Sequence, residues 1–306
     1  MWRTDLALEM RESFPEDKEE IRGVILTKEK QEEEKIEITR VEIKDEKGER
    51  AMGKPRGTYI TIESELLKEK GEEAKEPMVK AVKKHLEELS GGIFGKKTLI
   101  AGLGNREMTP DALGPYVVEQ LFVTRHLIQE FGESLKKKYE MESVSAIAPG
   151  VMGQTGMETC EILKGIIHET KPDLLIVVDA LAARNLKRVN TTIQLTDTGI
   201  SPGAGVGNNR KELNQKNLGI PVIALGVPTV VDAATIVEDR METALKKEGY
   251  SEEEIGSFLG SLDYRGMGSF FVTPKTIDEE IRLLGDTISE ALNSCFSNIY
   301  TNGSEK

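Results

Sequence analysis

The chain has 306 residues, with 53 acidic against 41 basic side chains and a formal net charge of -12. That balance excludes a nucleic-acid backbone as the principal partner, because phosphate binding needs clustered cations. No apolar run approaches the ~20 residues of a membrane helix, and Met1-Trp2-Arg3-Thr4-Asp5 has no apolar signal core. A soluble, cytoplasmic protein with no membrane partner is expected. At 306 residues the chain holds about two domains, or one large α/β domain with an appendage.

Residues 1–20 are polar and acidic, with Trp2, Leu6, Leu8, Met10 and Phe14 as the main apolar positions. A short strand is predicted over Ile21 to Leu26. Ile36 and Ile38, then Val41 and Ile43, alternate with polar residues, but the phase slips by one between the pairs, which predicts a bulged strand. Asp45-Glu46-Lys47-Gly48 supplies turn chemistry, and Thr58 to Glu63 alternates again. Residues 20–64 thus read as a small antiparallel sheet. The charged run 68–76 reads as a solvated helix face or linker. Met78, Val82, Leu86 and Leu89 fall at helical spacing, ended by Ser90-Gly91-Gly92.

From Lys97 the pattern alternates strands with helices. Strands are predicted at 97–103, 144–148, 174–179, 191–197, 221–226 and 269–273, and helices at about 111–131, 156–170, 232–247 and 276–296, the first with a stripe of Leu113, Val117 and Leu121. The tail 298–306 is polar. The expected fold is α/β (phosphorylase/hydrolase-like): a mostly parallel sheet with helices on both faces, plus the small N-terminal antiparallel sheet. Residues 6–95 form the β-rich region and 96–306 the α/β domain.

Two stretches organise the chain: Thr98 to Gly114 and Leu174 to Ala183. Each starts as a continuous apolar run, the pattern of a strand covered on both faces. Each then places an acid, Asp111 or Asp179, where the strand should end. Ligands and catalytic groups gather outside the carboxyl ends of strands in open α/β sheets. Asp111, after Thr109-Pro110, is equally well read as a helix cap. Asp179 is harder to account for structurally, because an unpaired charge at the end of an apolar strand is costly.

Three glycine-rich loops should reach the same edge, at 149–156, 197–210 and 226–232. Such loops let backbone N–H groups approach an anion or a peptide carbonyl. Gly102-Leu103-Gly104-Asn105 resembles a dinucleotide turn but lacks its third glycine, and an acid there would repel a pyrophosphate. His85, His126 and His168 all fall in predicted helices, no HExxH is present, and no G-x-S-x-G elbow appears. Cys160 and Cys295 have no metal or redox spacing and are expected to be idle thiols. What remains for hydrolysis is carboxylate chemistry, two aspartates sharing a water with separated pKa values.

The segments GLGNREMTPDALGP (102–115), APGVMGQTGMET (148–159), VVDALAAR (177–184), DTGISPGAGVGNNRKEL (197–213), GIPVIALGVPTVVDAAT (219–235) and VTPKTID (272–278) resemble the spore germination protease family. The resemblance implies an endopeptidase that degrades small acid-soluble spore proteins in the germinating spore. It also implies a homotetramer made as an inactive zymogen in the forespore, later the spore core. The family's essential acids carry over onto Asp111 and Asp179. Substrate-binding loops are expected to contribute Asn105, Gly153, Gln154, Thr155, Arg184, Gly205 and Gly207. Thr4-Asp5-Leu6-Ala7-Leu8-Glu9 is similar to the family's cleavage sequence, which implies self-processing between Asp5 and Leu6 and a propeptide of residues 1–5. Family members usually carry a longer one.

A more distant resemblance is to hydrogenase maturation proteases, which use two acids and a later histidine around nickel. No histidine follows His168 here. Metal-free chemistry with no cofactor is therefore the expectation, ahead of metal-assisted hydrolysis. The alternatives are a metal-dependent maturation-type protease and a non-catalytic binding protein on a Rossmann-like sheet.

Overall fold

The computed structural model describes residues 4–12, 21–33, 35–69, 71–207, 210–262 and 270–297. Trp2, Phe14, Asn208, Asn209 and the tail 298–306 lie outside these. Nine strands are present among the described residues: β1 (Val24–Gln31), β2 (Ile36–Ile43), β3 (Gly57–Glu63), β4 (Thr98–Gly102), β5 (Val144–Ile147), β6 (Leu174–Ala183), β7 (Thr192–Thr196), β8 (Val222–Asp232) and β9 (Phe271–Val272). They form one sheet in the order β1-β2-β3-β7-β8-β6-β4-β5, with β9 on β8.

This corrects the expectation of a mostly parallel sheet beside a separate small one. Only β8, β6, β4 and β5 run parallel, and the other pairings are antiparallel. β7 pairs with β8 on one edge and β3 on the other, from Tyr59 opposite Thr196 to Glu63 opposite Thr192. Without β3 that edge would present unpaired backbone groups. The N-terminal strands therefore continue the main sheet.

Seven principal helices cover the sheet: α1 (Ala7–Glu12), α2 (Glu46–Met52), α3 (Lys75–Ser90), α4 (Leu113–Glu119), α5 (Thr159–Thr170), α6 (Ala233–Lys247) and α7 (Ile277–Phe296). On one face α3, α4 and α7 bury Met78, Val82, Leu113, Val117, Leu284 and Ile288 against Ile60, Ile62, Ile100 and Ile176. On the other, α5 sets Cys160 and Leu163 against Leu99, Leu175 and Val177. Helices on both faces stand as expected, and both cysteines are free and buried.

The phase slip in β2 has a cause other than a bulge. Its register is continuous with both neighbours. Ile36 and Ile38 face the α3 layer, whereas Val41 and Ile43 face Ala7 of α1 and Met52 of α2. Different halves of one regular strand are covered on opposite faces. The predicted turn at Asp45 to Gly48 is the start of α2, where the Asp45 carboxylate caps the N–H groups of Lys47 and Gly48 at 2.9 Å.

The helix predicted over 111–131 breaks after Glu119. Asn293 of α7 accepts from Phe122 N–H at 2.9 Å and donates to Gln120 O at 3.1 Å, drawing off backbone groups that a longer helix would use. A second helix then covers Arg125–Phe131. The strand predicted at 269–273 is only Phe271–Val272, and residue 269 is not described.

The approach of α4 to β4 depends on glycine. A Cβ on Gly102 would lie 2.0 Å from Gly114 O, and one on Gly114 would lie 2.3 Å from Leu103 O. Both obstacles are backbone. Gly114→Ala is expected to cost about 1–3 kcal/mol, read as a lowered urea midpoint. An unchanged midpoint would show that α4 can shift freely.

Candidate active site

Asp111 ends a short 3-10 turn, Thr109–Asp111, just beyond β4. Pro110 O accepts from Thr229 Oγ1 of β8 at 2.7 Å, which ties the turn to the sheet. The helix-cap reading does not hold: Ala112 occupies the cap position of α4, with no side-chain cap bond. The Asp111 carboxylate instead accepts the Asn105 N–H at 2.8 Å. Burial pushes its carboxyl up to about 6, against the downward pull of that N–H.

Asp179 does not end its strand. β6 continues to Ala183 because β8 runs alongside it, and the two stay paired through Ala183 and Val231 with an irregularity after Leu181. The acid thus sits inside a strand at 6% exposure. Its one described donor is the following N–H, Ala180, at 2.9 Å. Burial raises its pKa well above the usual carboxylate range, and the Asp111 and Asp5 charges raise it further.

Both acids line a cleft of about 590 Å³. Asp5 lines it too. Its N–H donates to Ala182 O at 3.0 Å, and its carboxylate accepts from Ala182 N–H at 2.9 Å and from the Gly205 N–H. A Cβ at Gly205 would sit 2.1 Å from that carboxylate, so glycine admits the acid. Burial raises the Asp5 pKa, while Lys54 opposes the rise.

The residues after Asp5 are anchored individually. Leu6 is fully buried against Leu181, Ala183, Val189 and Val231. Ala7 N–H donates to Gln194 Oε1 at 2.7 Å. The Glu9 carboxylate accepts from the N–H groups of Arg184 at 2.7 Å and Asn185 at 2.9 Å. Arg188 lies 3.5 Å from Glu9, forks onto both oxygens of Glu12 at 2.6 Å, and donates to Glu63 at 2.8 Å. Burial pulls the guanidinium pKa down, but Glu12 and Glu63 outweigh it and hold the charge.

The predicted loop residues are distributed unevenly. Asn105 and Gly153 line the cleft, and Gln154 reaches Asn105 Oδ1 at 3.1 Å. Thr155 closes its own turn onto Val151 and Met157. Arg184 turns its guanidinium toward Asp239, 3.4 Å away. Gly205 is at Asp5, whereas Gly207 is an exposed left-handed cap. Sequence reasoning missed Lys54, Gln194 and Arg188. The one local signal was Gln194, a polar residue inside the buried strand TIQLT. Among the described residues no three His, Cys, Asp or Glu side chains converge as a metal set.

A sequence profile described as germination protease matches residues 3–269. The chain is 46% identical over 310 residues to a germination protease of Caldanaerobacter subterraneus subsp. tengcongensis, covering 95% of this chain and 93% of that protein. It is 44% identical over 307 residues to one from Clostridium perfringens, with 95% and 94% coverage. Against one from Bacillus cereus it is 49% identical over 258 residues, with 82% and 69% coverage. Among solved structures, a nickel–iron hydrogenase maturation protease of Thermococcus kodakarensis superposes with a TM-score of 0.34 at 19% identity, covering 68% of this chain and 98% of that one.

Proposed function

Since the chain belongs to the germination protease family and is a peptidase of spore germination, we propose that Asp111 and Asp179 activate the water that cuts its peptide substrates. The observation carrying this reading is that both acids line one cleft together with Asp5, the residue before the implied self-cleavage bond. The substrates in this reading are small acid-soluble spore proteins in the spore core, the enzyme is a homotetramer, and residues 1–5 are removed by self-processing. No helix among the described residues is long and apolar enough to cross a membrane.

The electrostatics support a division of labour. Asp111, pushed up to about 6, is ionised near neutrality and takes the proton of the attacking water. Asp179, raised well above the usual range by burial and by Asp111, keeps its proton and delivers it to the leaving amine. Cleavage needs the first ionised and the second protonated. The rate is therefore expected to fall below about 6 as Asp111 takes up a proton, and to fall on the other side of its maximum as Asp179 loses its own. The check is N-terminal sequencing of full-length protein held at a series of pH values. A new terminus at Leu6 with this bell-shaped dependence is expected. A terminus that stays at Met1 under conditions giving protease activity rejects self-processing at this bond.

A further inference from the structure

The carbonyl of Asp5 rests against two donors for which the paired carboxylates give no account. Lys54 Nζ lies 2.9 Å from Asp5 O. Gln194 Nε2 lies 3.4 Å from the same oxygen. Lys54 follows Gly53, the left-handed cap of α2, while Gln194 stands in mid β7. They reach the Asp5 carbonyl from two separate elements.

The peptide unit between them has little freedom. Asp5 is pinned through its N–H and its carboxylate on Ala182. The next residue is buried, and the one after it is held by Gln194 Oε1. The Gln194 amide thus spans the Asp5–Leu6 bond, accepting from Ala7 N–H and donating to Asp5 O. A preorganised cationic donor on a carbonyl oxygen is what an amide needs when attacked, because negative charge develops on that oxygen.

We propose that Lys54, assisted by Gln194, is the oxyanion-binding group for the peptide bond that this protease cuts. The proposal rests on the reading in which Asp111 and Asp179 hydrolyse Asp5–Leu6. The water oxygen bonds to the Asp5 carbonyl carbon and gives its proton to Asp111. The carbonyl π pair moves onto oxygen, where the Lys54 ammonium and the Gln194 amide stabilise it without giving up a proton. On collapse the carbon–nitrogen bond breaks, its electron pair goes to Leu6 nitrogen, and Asp179 supplies the proton. The products are a carboxyl group on Asp5 and a free amine on Leu6.

Burial pulls the Lys54 pKa down while the Asp5 and Glu9 charges oppose the fall, so Lys54 could instead serve only as their counter-charge. The two roles separate in the full-length chain. Lys54→Met, Lys54→Arg, Gln194→Glu and Asp179→Asn are compared by the rate at which the Leu6 terminus appears in mass spectra. Hydrogen exchange of the amides from Asp5 to Glu12 is followed in parallel. The expected result for Lys54→Met is a cleavage rate lower by about 10²–10³-fold with those amides still protected. Lys54→Arg, which keeps a cationic donor, should retain part of the rate. Gln194→Glu keeps the acceptor for Ala7 but loses the donor to Asp5, so it should show a smaller loss.

Cleavage by Lys54→Met at the wild-type rate overturns the assignment, provided Asp179→Asn is inactive. So does a loss of cleavage that merely tracks loss of amide protection, which would make Lys54 a clamp. If Asp179→Asn itself cuts normally, the underlying two-aspartate reading fails and this proposal falls with it.

Discussion

Asp179→Asn is expected to end proteolysis while making the protein harder to unfold. Loss of a proton-transfer group removes about 10²–10⁴-fold in rate. For a group paired with a second acid the effect sits at the upper end, because the two act as one unit. The gain in stability follows from linkage. In the unfolded chain the Asp179 carboxyl ionises at the ordinary 3.8, whereas in the fold burial and the neighbouring acids hold its pKa well above that. Its contribution is therefore a penalty that is absent at low pH and grows as pH rises from the unfolded value toward the folded one. Asparagine removes it, so the urea midpoint should rise at neutral pH, and the gain should shrink as the pH is lowered toward 3.8. Asp111→Asn should be equally inactive with a smaller gain, since that carboxyl is pushed only to about 6. Full activity in either variant would remove that residue from the mechanism. An Asp179→Asn protein that unfolds more easily would contradict the electrostatic account.

Arg188→Met is the substitution expected to cost most in stability. Arg188 is 9% exposed and sits among Glu9, Glu12 and Glu63, and Glu9 itself is only 3% exposed. Removing the cation takes the counter-charge from the buried Glu9, while Glu12 stays exposed to water, and breaking a buried pair from one side costs about 3–5 kcal/mol. The loss should concentrate where those acids lie, so the amides of α1 should exchange quickly before the rest of the chain unfolds. The proposed self-processing should fall as well, as loosening of α1 reaches Asp5 and its seat on Ala182. Arg188→Lys should recover only part of the stability, since one ammonium cannot reproduce the fork onto Glu12. Unchanged protection of α1 in Arg188→Met would show that burial of Leu6, Ala7 and Leu8 alone fixes the segment.

The two acids that share the cleft stood out in the sequence because their signal is local: a run such as Leu174 to Val178 reads as a covered strand, and the charge that follows it is conspicuous. The buried stripe Leu113, Val117 and Leu121 was equally plain, recurring every four residues, although the helix itself ends at Glu119. The extent of β6 was not, since it is set by pairing with β8. Nor was the two-sided covering of β2, where the periodicity was read correctly but the layers that cause it come from distant parts of the chain. Lys54, Gln194 and Arg188 left almost no trace, because their partners lie 49, 189 and 176 positions away. A lysine in a turn carries no mark of the carbonyl it will meet.

The seat of Asp5 on β6 also bears on the order of synthesis. The bond proposed for cutting precedes Ala182, its partner on the sheet, by 177 residues. β8, which carries the anchor for the Asp111 turn, is made later still. A nascent or truncated chain ending before β8 therefore holds the bond and both acids but lacks the Thr229 anchor of the Asp111 turn. In the proposed reading, cutting at this bond then waits until β8 has joined the sheet.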